Sequence, residues 1–235
     1  MQRTIVLNPK GGCGKTTIAT NLAAWYAQRF NTALLDYDPQ ASSAHWLDRR
    51  GHDWPVIEGV RAYERHVPNV TRAWLTHNPQ LERVVIDAPA AVAGHQLVDM
   101  VKRVDTILIP VQPSPIDIQA AADFVRDLLL EGKVRAMDVR VGVVANRVRT
   151  NTRIYASLQR FLASLRLPFL TSLRDTQNYV KAADQGVGIH ELADRSVSKD
   201  VEQWEPLVRW LEHEDNGNVT QLRTARRVNT QRVGG

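Results

Sequence analysis

Short apolar runs alternate along the chain with longer segments in which apolar residues recur at helical spacing. The apolar runs are typical of buried parallel strands, and they lie at residues 4–7, 32–36, 81–87, 105–111, 139–147 and from 167–170 onward. The helical pattern lies at residues 15–30, 152–165 and 198–212, and after residue 115. Regular alternation of strand and helix predicts an α/β fold, with a mostly parallel twisted sheet and helices on both faces.

Residues 46–80 are less regular than the rest of the chain. We predict helices and loops there, with residues 59–62 and 70–75 as helices or helix starts. Four of the seven histidines lie in this segment or directly before it, and they do not have the spacing of metal ligands: His45, His52, His66 and His77.

Length and composition predict one large domain. The chain has 235 residues, of which 43% are hydrophobic, so a substantial core is expected over residues 1–213. The N-terminus enters a strand pattern at once and no apolar run is long enough for a membrane helix, so we expect a cytoplasmic protein. The single cysteine, Cys13, excludes an internal disulfide, which fits a reducing compartment.

The positive charge is concentrated at the C-terminus. The net charge is +5, and residues 216–235 hold four arginines and no acids, which leaves 5 − 4 = +1 for the rest. Residues 214–235 are therefore predicted to be a basic, disordered tail. Its arginines suit either a DNA-binding arm or a solubilising extension, and its few bulky apolar residues do not favour membrane binding.

The first strand leads into a glycine-rich loop that opens a helix. Gly11, Gly12 and Gly14 allow backbone N–H groups to approach an anion, and the helix from Lys15 points its positive end at the same place. The usual phosphate-loop pattern G-x-x-x-x-G-K-[ST] is met only at its C-terminal end, because its first glycine would fall at Pro9. The sequence therefore predicts a phosphate-binding loop whose N-terminal part departs from the usual pattern.

The run K-G-G-x-G-K-T-T resembles the deviant Walker A motif of the ParA/MinD family of ATPases. The resemblance implies a P-loop NTPase fold and ATP with Mg²⁺ as the bound species. In that family the first lysine, here Lys10, reaches the nucleotide of the other subunit of a dimer, so Lys10 and Lys15 would be catalytic. The nucleotide would be held by the loop residues Gly11, Gly12, Cys13, Gly14, Lys15, Thr16 and Thr17.

Other segments extend this resemblance. Residues 36–43 are similar to the family's switch I, with Ala41 in place of the common glycine, which would make Asp38 the residue that positions the attacking water. Asp36 would lie near the metal, and Asp87, which ends an aliphatic strand, would hold a water that is bound to the metal, while the hydroxyl of Thr16 would bind the metal directly.

The end of the strand at 139–147 completes the nucleotide prediction. The resemblance places Asn146 at the adenine ring, with Arg147 beside it. An asparagine at the end of a strand is also a common turn former, so both readings stay open.

The resemblance implies an ATPase that forms an ATP-dependent homodimer, binds DNA without sequence preference at the nucleoid, and partitions or positions a cargo. A ParB-like or cargo-adaptor partner would stimulate hydrolysis, and no helix-turn-helix precedes the loop. The candidate DNA contacts are Lys181, Arg195, Lys199, Arg223, Arg226 and Arg227. The alternatives are a nucleotide-switched scaffold or a biosynthetic P-loop enzyme, and the sequence does not name the cargo.

Overall fold

The computed structural model describes residues 1–64, 68–130, 134 and 138–212, and of residues 65–72 no side chain is described. The strands are β1 Gln2–Val6, β2 Thr32–Asp36, β3 Ile57–Arg61, β4 Arg83–Asp87, β5 Thr106–Val111, β6 Arg140–Val148 and β7 Phe169–Arg174. The helices are α1 Lys15–Ala27, α2 Ser42–Arg49, α3 Pro68–His77, α4 Gly94–Val101, α5 Pro115–Leu130, α6 Arg153–Ser164, α7 Gln177–Asp184, α8 Ser198–Glu202 and α9 Glu205–Glu212.

The strands of the described chain form one seven-stranded sheet in the order β3-β2-β4-β1-β5-β6-β7. Every neighbouring pair is parallel. From β1 the chain passes to β2 and β3 on one side of the sheet and returns to β4 beside β1. It then continues through β5, β6 and β7 on the other side, so the carboxyl end of β1 lies where the strand order reverses. Ligands of open α/β sheets bind at such a point, which places the glycine-rich loop in the expected crevice.

Helices cover both faces of the sheet. On one face Leu97 of α4, Phe124 of α5 and Leu158 of α6 belong to one apolar core. On the other face α1, α7 and α9 pack into a second core that contains Leu22 and Trp204. The predicted fold class is therefore confirmed, and its sheet is parallel throughout the described chain.

The prediction of a helix at residues 59–62 is wrong. Residues Ile57–Arg61 form β3, an edge strand that pairs with β2 alone. Only Ile57 and Val60 are buried there, so the strand carries no continuous apolar run and its sequence does not resemble those of the central strands. The helix predicted at residues 70–75 is confirmed within α3.

The single helix predicted at residues 198–212 is two helices, α8 and α9. Pro206 has no N–H to donate to the carbonyl of Glu202, so α8 cannot continue through it. Trp204 at the junction is 1% exposed, and its indole N–H donates to the hydroxyl of Tyr179 at 3.0 Å. In α5, Leu128 is buried in the core, whereas Leu130 near the end of the helix is 70% exposed.

No helix within the described ranges has the length and apolar character that crossing a bilayer requires. The boundary at residues 213/214 stays a prediction, because the predicted tail lies outside the described residues, and Arg223, Arg226 and Arg227 lie there with it.

Candidate nucleotide-binding site

Two glycines in left-handed backbone conformation shape the loop between β1 and α1. The φ angles are 77° at Gly12 and 94° at Gly14, values that residues with a side chain rarely adopt. Helix α1 begins at the next residue, Lys15. The first N–H groups of a helix have no partner within it and its dipole is positive there, so loop and helix together form an anion site.

The two lysines of the loop differ in their surroundings. Lys15 is 7% exposed, and its Nζ donates to the carbonyl of Lys10 at 3.2 Å. Lys10 is half-buried, and its backbone N–H donates to Oδ1 of Asn8 at 2.9 Å. Asn8 is itself buried and donates to the carbonyl of Pro110 at 2.7 Å. The backbone at Lys10 is therefore fixed to β5, while its side chain reaches the surface.

An open cleft of about 410 Å³ lies above the loop, within the size range of small-molecule sites. Its walls combine the loop with residues from the segment after β2 and the end of β6. The lining residues are Gly11, Gly12, Gly14, Lys15, Thr16, Thr17, Asp38, Gln40, Ser42, Ala90 and Arg147. The cavity is thus lined by backbone N–H groups, by the cationic side chains Lys15 and Arg147, and by the carboxylate of Asp38.

One carboxylate oxygen of Asp87, the last residue of β4, accepts hydrogen bonds from two hydroxyl groups. Thr16 Oγ1 donates to Asp87 Oδ2 at 2.8 Å, and Ser43 Oγ donates to the same atom at 2.5 Å. The other oxygen, Oδ1, is buried and has no hydrogen-bond partner. Burial raises the pKa of Asp87 from 3.8 to about 7, although both hydroxyls favour the charged form.

These residues fit a magnesium ion. Mg²⁺ prefers oxygen ligands, and the hydroxyl of Thr16 lies against the carboxylate of Asp87 beside the cleft. A cation at this position would give Oδ1 of Asp87, which has no hydrogen-bond partner, a positively charged partner.

The segment after β2 is a tight turn that is built on Asp36. Its Oδ1 accepts the backbone N–H of Asp38 and its Oδ2 accepts that of Ala44, both at 2.9 Å. Burial raises the pKa of Asp36. Asp38 is half-buried and lines the cleft, as predicted for a residue that faces the phosphates. Asp36 does not line it, so its predicted place near the metal stays a prediction.

Asn146 lies at the end of the apolar part of β6 and contacts the loop. It is 3% exposed, and its Nδ2 donates to the carbonyl of Cys13 at 2.9 Å. A Cβ atom added to Gly14 would lie 2.0 Å from the same nitrogen. The next residue, Arg147, is exposed and lines the cleft. The role of Asn146 at the base stays a prediction, since its amide is engaged by the loop.

Comparison with protein families gives one match over most of the chain. The model of the CobQ/CobB/MinD/ParA nucleotide binding domain matches residues 4–189. The chain belongs to this family. The match begins in β1 and runs through the loop, Asp38, Asp87 and Asn146, so the whole candidate site lies inside the family domain.

Relatives of this family member include proteins that are named for carboxysome distribution. The chain is 31% identical over 194 residues to maintenance of carboxysome distribution protein A of Halothiobacillus neapolitanus, which covers 82% of this chain and 88% of that protein. Among solved structures, apo McdA of Cyanothece has a TM-score of 0.71 at 18% identity, covering 88% of this chain and 99% of that one. An ATP complex of Cyanothece McdA has a TM-score of 0.67 at 18% identity, covering 88% and 96%.

The predicted DNA-binding residues of this family member that are described lie on and near α7 and α8. Arg195 and Lys199 are exposed. Lys181 donates to Oδ2 of Asp194 at 3.1 Å, so its charge is already paired. The N–H of Ser196 and then Lys181 lower the pKa of Asp194 to about 2. The structure thus brings three basic residues to one region, where all three are exposed and Lys181 is paired with Asp194.

Two residues of the site were not predicted from the sequence. Ser43 contacts Asp87, and Gln112, which directly follows β5, donates to the carbonyl of Gly12 at 2.6 Å. Gln112 could have been found by the rule that polar side chains at the carboxyl ends of parallel strands meet. Ser43 is the last residue of the segment that is similar to switch I, but that similarity did not assign it a contact with Asp87.

Proposed function

We propose that this protein is an ATPase of the ParA type, which dimerises when ATP is bound, binds DNA without sequence preference and positions a cargo. Hydrolysis would be slow in the free protein and stimulated by a partner protein. The family to which the chain belongs supports nucleotide binding, and the geometry of the cleft supports phosphate chemistry.

One observation carries the proposal: the anion-binding loop lines a cleft together with Thr16, whose hydroxyl donates to the buried carboxylate of Asp87. Lys15 and the N-terminus of α1 would hold the phosphates, and Thr16 lines the cleft while its hydroxyl is bonded to Asp87. A phosphate cradle with a hydroxyl and a carboxylate beside it is the arrangement that nucleoside triphosphate hydrolysis requires.

Each residue would have a distinct role in the reaction. Lys15 would neutralise charge on the phosphates, and Asp38, on the opposite wall of the cleft, would orient the attacking water. Thr16 and Asp87 would hold Mg²⁺, which supplies positive charge to the phosphate oxygens when it is bound. Because the loop and Lys15 are already in place before substrate arrives, most of the catalytic effect would come from positioning.

Dimerisation would depend on Lys10. Its backbone is anchored through Asn8 while its side chain is partly exposed beside the loop, so it can extend toward a second nucleotide. A γ-phosphate adds the charge that such a lysine would neutralise, which links the dimer to the ATP-bound state.

The experiment that tests the proposal measures molecular mass and ATP turnover together. With ATP and Mg²⁺ the protein should change from monomer to dimer in analytical ultracentrifugation and bind duplex DNA of unrelated sequences equally. DNA affinity should fall with salt, with a log–log slope of about −0.9 per phosphate contact. A monomer in ATP without DNA binding would contradict the proposal.

Three variants separate the roles. Lys15→Ala should lose nucleotide binding, and hydrolysis at the wild-type rate would show that the loop is not the site. Lys10→Ala should bind ATP as a monomer, and normal dimerisation would remove its role across the interface. Asp38→Ala should accumulate as an ATP-bound dimer, and a monomer in ATP would contradict its assignment to the attacking water.

The cargo that the relatives' names suggest is the carboxysome. Deletion of the gene in the host organism should collapse evenly spaced carboxysomes into clusters, visible by fluorescence microscopy of a tagged shell protein. Unchanged spacing would exclude carboxysomes as the cargo, and the ATPase proposal would stand independently of that result.

A further inference from the structure

Two side-chain amides contact the outer side of the glycine-rich loop. Gln112, directly after β5, donates through Nε2 to the carbonyl of Gly12 at 2.6 Å. Asn146, in the neighbouring strand β6, donates through Nδ2 to the carbonyl of Cys13 at 2.9 Å. Consecutive carbonyl groups of the loop are therefore each held by an amide from one of two adjacent strands.

These contacts determine where the loop's N–H groups point. The peptide bonds of the described chain are trans, and in a trans peptide the C=O and N–H of one unit point in opposite directions. The carbonyl of Gly12 shares its unit with the N–H of Cys13, and the carbonyl of Cys13 shares its unit with the N–H of Gly14. Holding both carbonyls toward β5 and β6 turns both N–H groups away from these strands.

The loop does not hold this orientation by its own stiffness. Gly12 and Gly14 have φ of 77° and 94°, and glycine rotates readily between backbone regions. A rotation of either peptide unit would direct a carbonyl oxygen at the phosphate instead of an N–H group. The amide of Asn146 also lies so close to Gly14 that a Cβ there would be 2.0 Å from its nitrogen, which limits movement of that unit.

We propose that Gln112 and Asn146 are positioning residues that hold two peptide units of the loop with their N–H groups toward the nucleotide phosphates. Neither side chain is among the described residues that line the cleft, so both act through the loop. The inference rests on the proposed nucleotide-binding function. It assigns Asn146 to the phosphate end of the nucleotide, where the sequence resemblance placed it at the base.

A ligand that lacks the adenine base distinguishes a role of Asn146 at the phosphates from a role at the base. The affinities of ATP and of inorganic tripolyphosphate are measured by displacement of a fluorescent ADP analogue, with Mg²⁺ present throughout. Asn146→Ala and Gln112→Ala should each weaken both ligands by a similar factor of about three to ten, the range expected for losing one hydrogen bond. Asn151→Ala and Gln119→Ala, at exposed positions on neighbouring elements, are matched controls that should leave both affinities unchanged.

Steady-state kinetics and unfolding distinguish positioning from general destabilisation. Because the N–H groups bind phosphate before and during the reaction, Gln112→Ala should raise KM by the same factor and leave kcat within about twofold. Its unfolding midpoint in urea without ligand should match that of Gln119→Ala. Gln112 is half-exposed, so this variant gives a clear answer even if Asn146→Ala fails to fold.

Three outcomes would overturn the inference. If Asn146→Ala weakens ATP and leaves tripolyphosphate unchanged, Asn146 contacts the base. If Gln112→Ala alters neither affinity nor KM, the loop keeps its orientation without the amide. If the wild-type protein binds neither ATP nor tripolyphosphate, the proposed function fails and the inference fails with it, whereas the first two outcomes leave the function intact.

Discussion

The strongest prediction for stability concerns a buried ion pair at the end of α2. Arg50 and Glu191 form two parallel hydrogen bonds of 2.8 and 2.7 Å, and their side chains are 5% and 1% exposed. The same guanidinium donates to the carbonyls of Pro55 and Gly186, and Glu191 also accepts the N–H of Gly188 at 2.7 Å. The perturbation is Glu191→Ala, which leaves the arginine charge buried without its partner.

The expected loss follows from this burial. Removing one partner of a buried pair destabilises a protein by about 3–5 kcal/mol, because the remaining charge is desolvated and uncompensated. Domains of this kind have a total stability of about 5–15 kcal/mol, so the variant should lose a large part of it. The melting temperature should fall by about 6–20 °C, taking about 2–4 °C per kcal/mol for a chain of this length.

Urea unfolding, followed by tryptophan fluorescence and circular dichroism, measures this loss. The control is Glu205→Ala, because Glu205 is 69% exposed and lies 3.8 Å from Arg209, and it should change stability by no more than about 1 kcal/mol. The double variant Arg50→Met with Glu191→Leu should recover part of the loss, because it leaves no unpaired charge, but the carbonyls of Pro55 and Gly186 and the N–H of Gly188 lose their partners. A loss below about 1 kcal/mol in Glu191→Ala would refute the reasoning.

Further predictions concern the cleft. Gly14→Ala should weaken nucleotide binding at least about a hundredfold in fluorescence titration, because its Cβ would clash with Asn146 and φ is 94°, and near-normal affinity would contradict the loop geometry. Asp87→Asn should abolish the dependence of nucleotide affinity on Mg²⁺ and retain metal-free binding, measured with and without EDTA; unchanged dependence would exclude Asp87 as a ligand. Ala41→Gly should stabilise the protein by up to about 1 kcal/mol in urea unfolding, because Ala41 has φ of 54°, and a loss would show that its buried methyl group matters more.

The sequence predicted those parts of the fold whose burial is uniform. Strands such as β2 and β5 are buried at every residue, so their apolar runs are continuous and easily found. Strand β3 is an edge strand with a mixture of buried and exposed positions, and its residues carried no comparable signal. The break between α8 and α9 follows from Pro206, a local cause that the apolar spacing of residues 198–212 concealed.

The candidate site could be predicted where a motif or a strand end marked it. Lys15, Asp38 and Asp87 were found in this way; the first two line the cleft, and Asp87 accepts the hydroxyl of Thr16, which also lines it. The contact of Ser43 with Asp87 could not be found, although Ser43 ends the segment similar to switch I, because its hydroxyl reaches Asp87 only after α2 has packed on β2 and β3. Contacts of this kind depend on the packing of distant elements, which spacing along the chain does not encode.

Helix α2 connects these findings, because buried polar contacts fix it at both ends. At its start Ser43 donates to Asp87, and the N–H of Ala44 donates to Asp36. At its end Arg50 is paired with Glu191. If Asp38 moves when nucleotide binds, helix α2 therefore cannot move with it as a unit without breaking one of these buried contacts. We expect the conformational change on nucleotide binding to remain within residues 38–42 or to break the hydrogen bond between Ser43 and Asp87. In the second case the metal would take the place of the Ser43 hydroxyl at the carboxylate of Asp87.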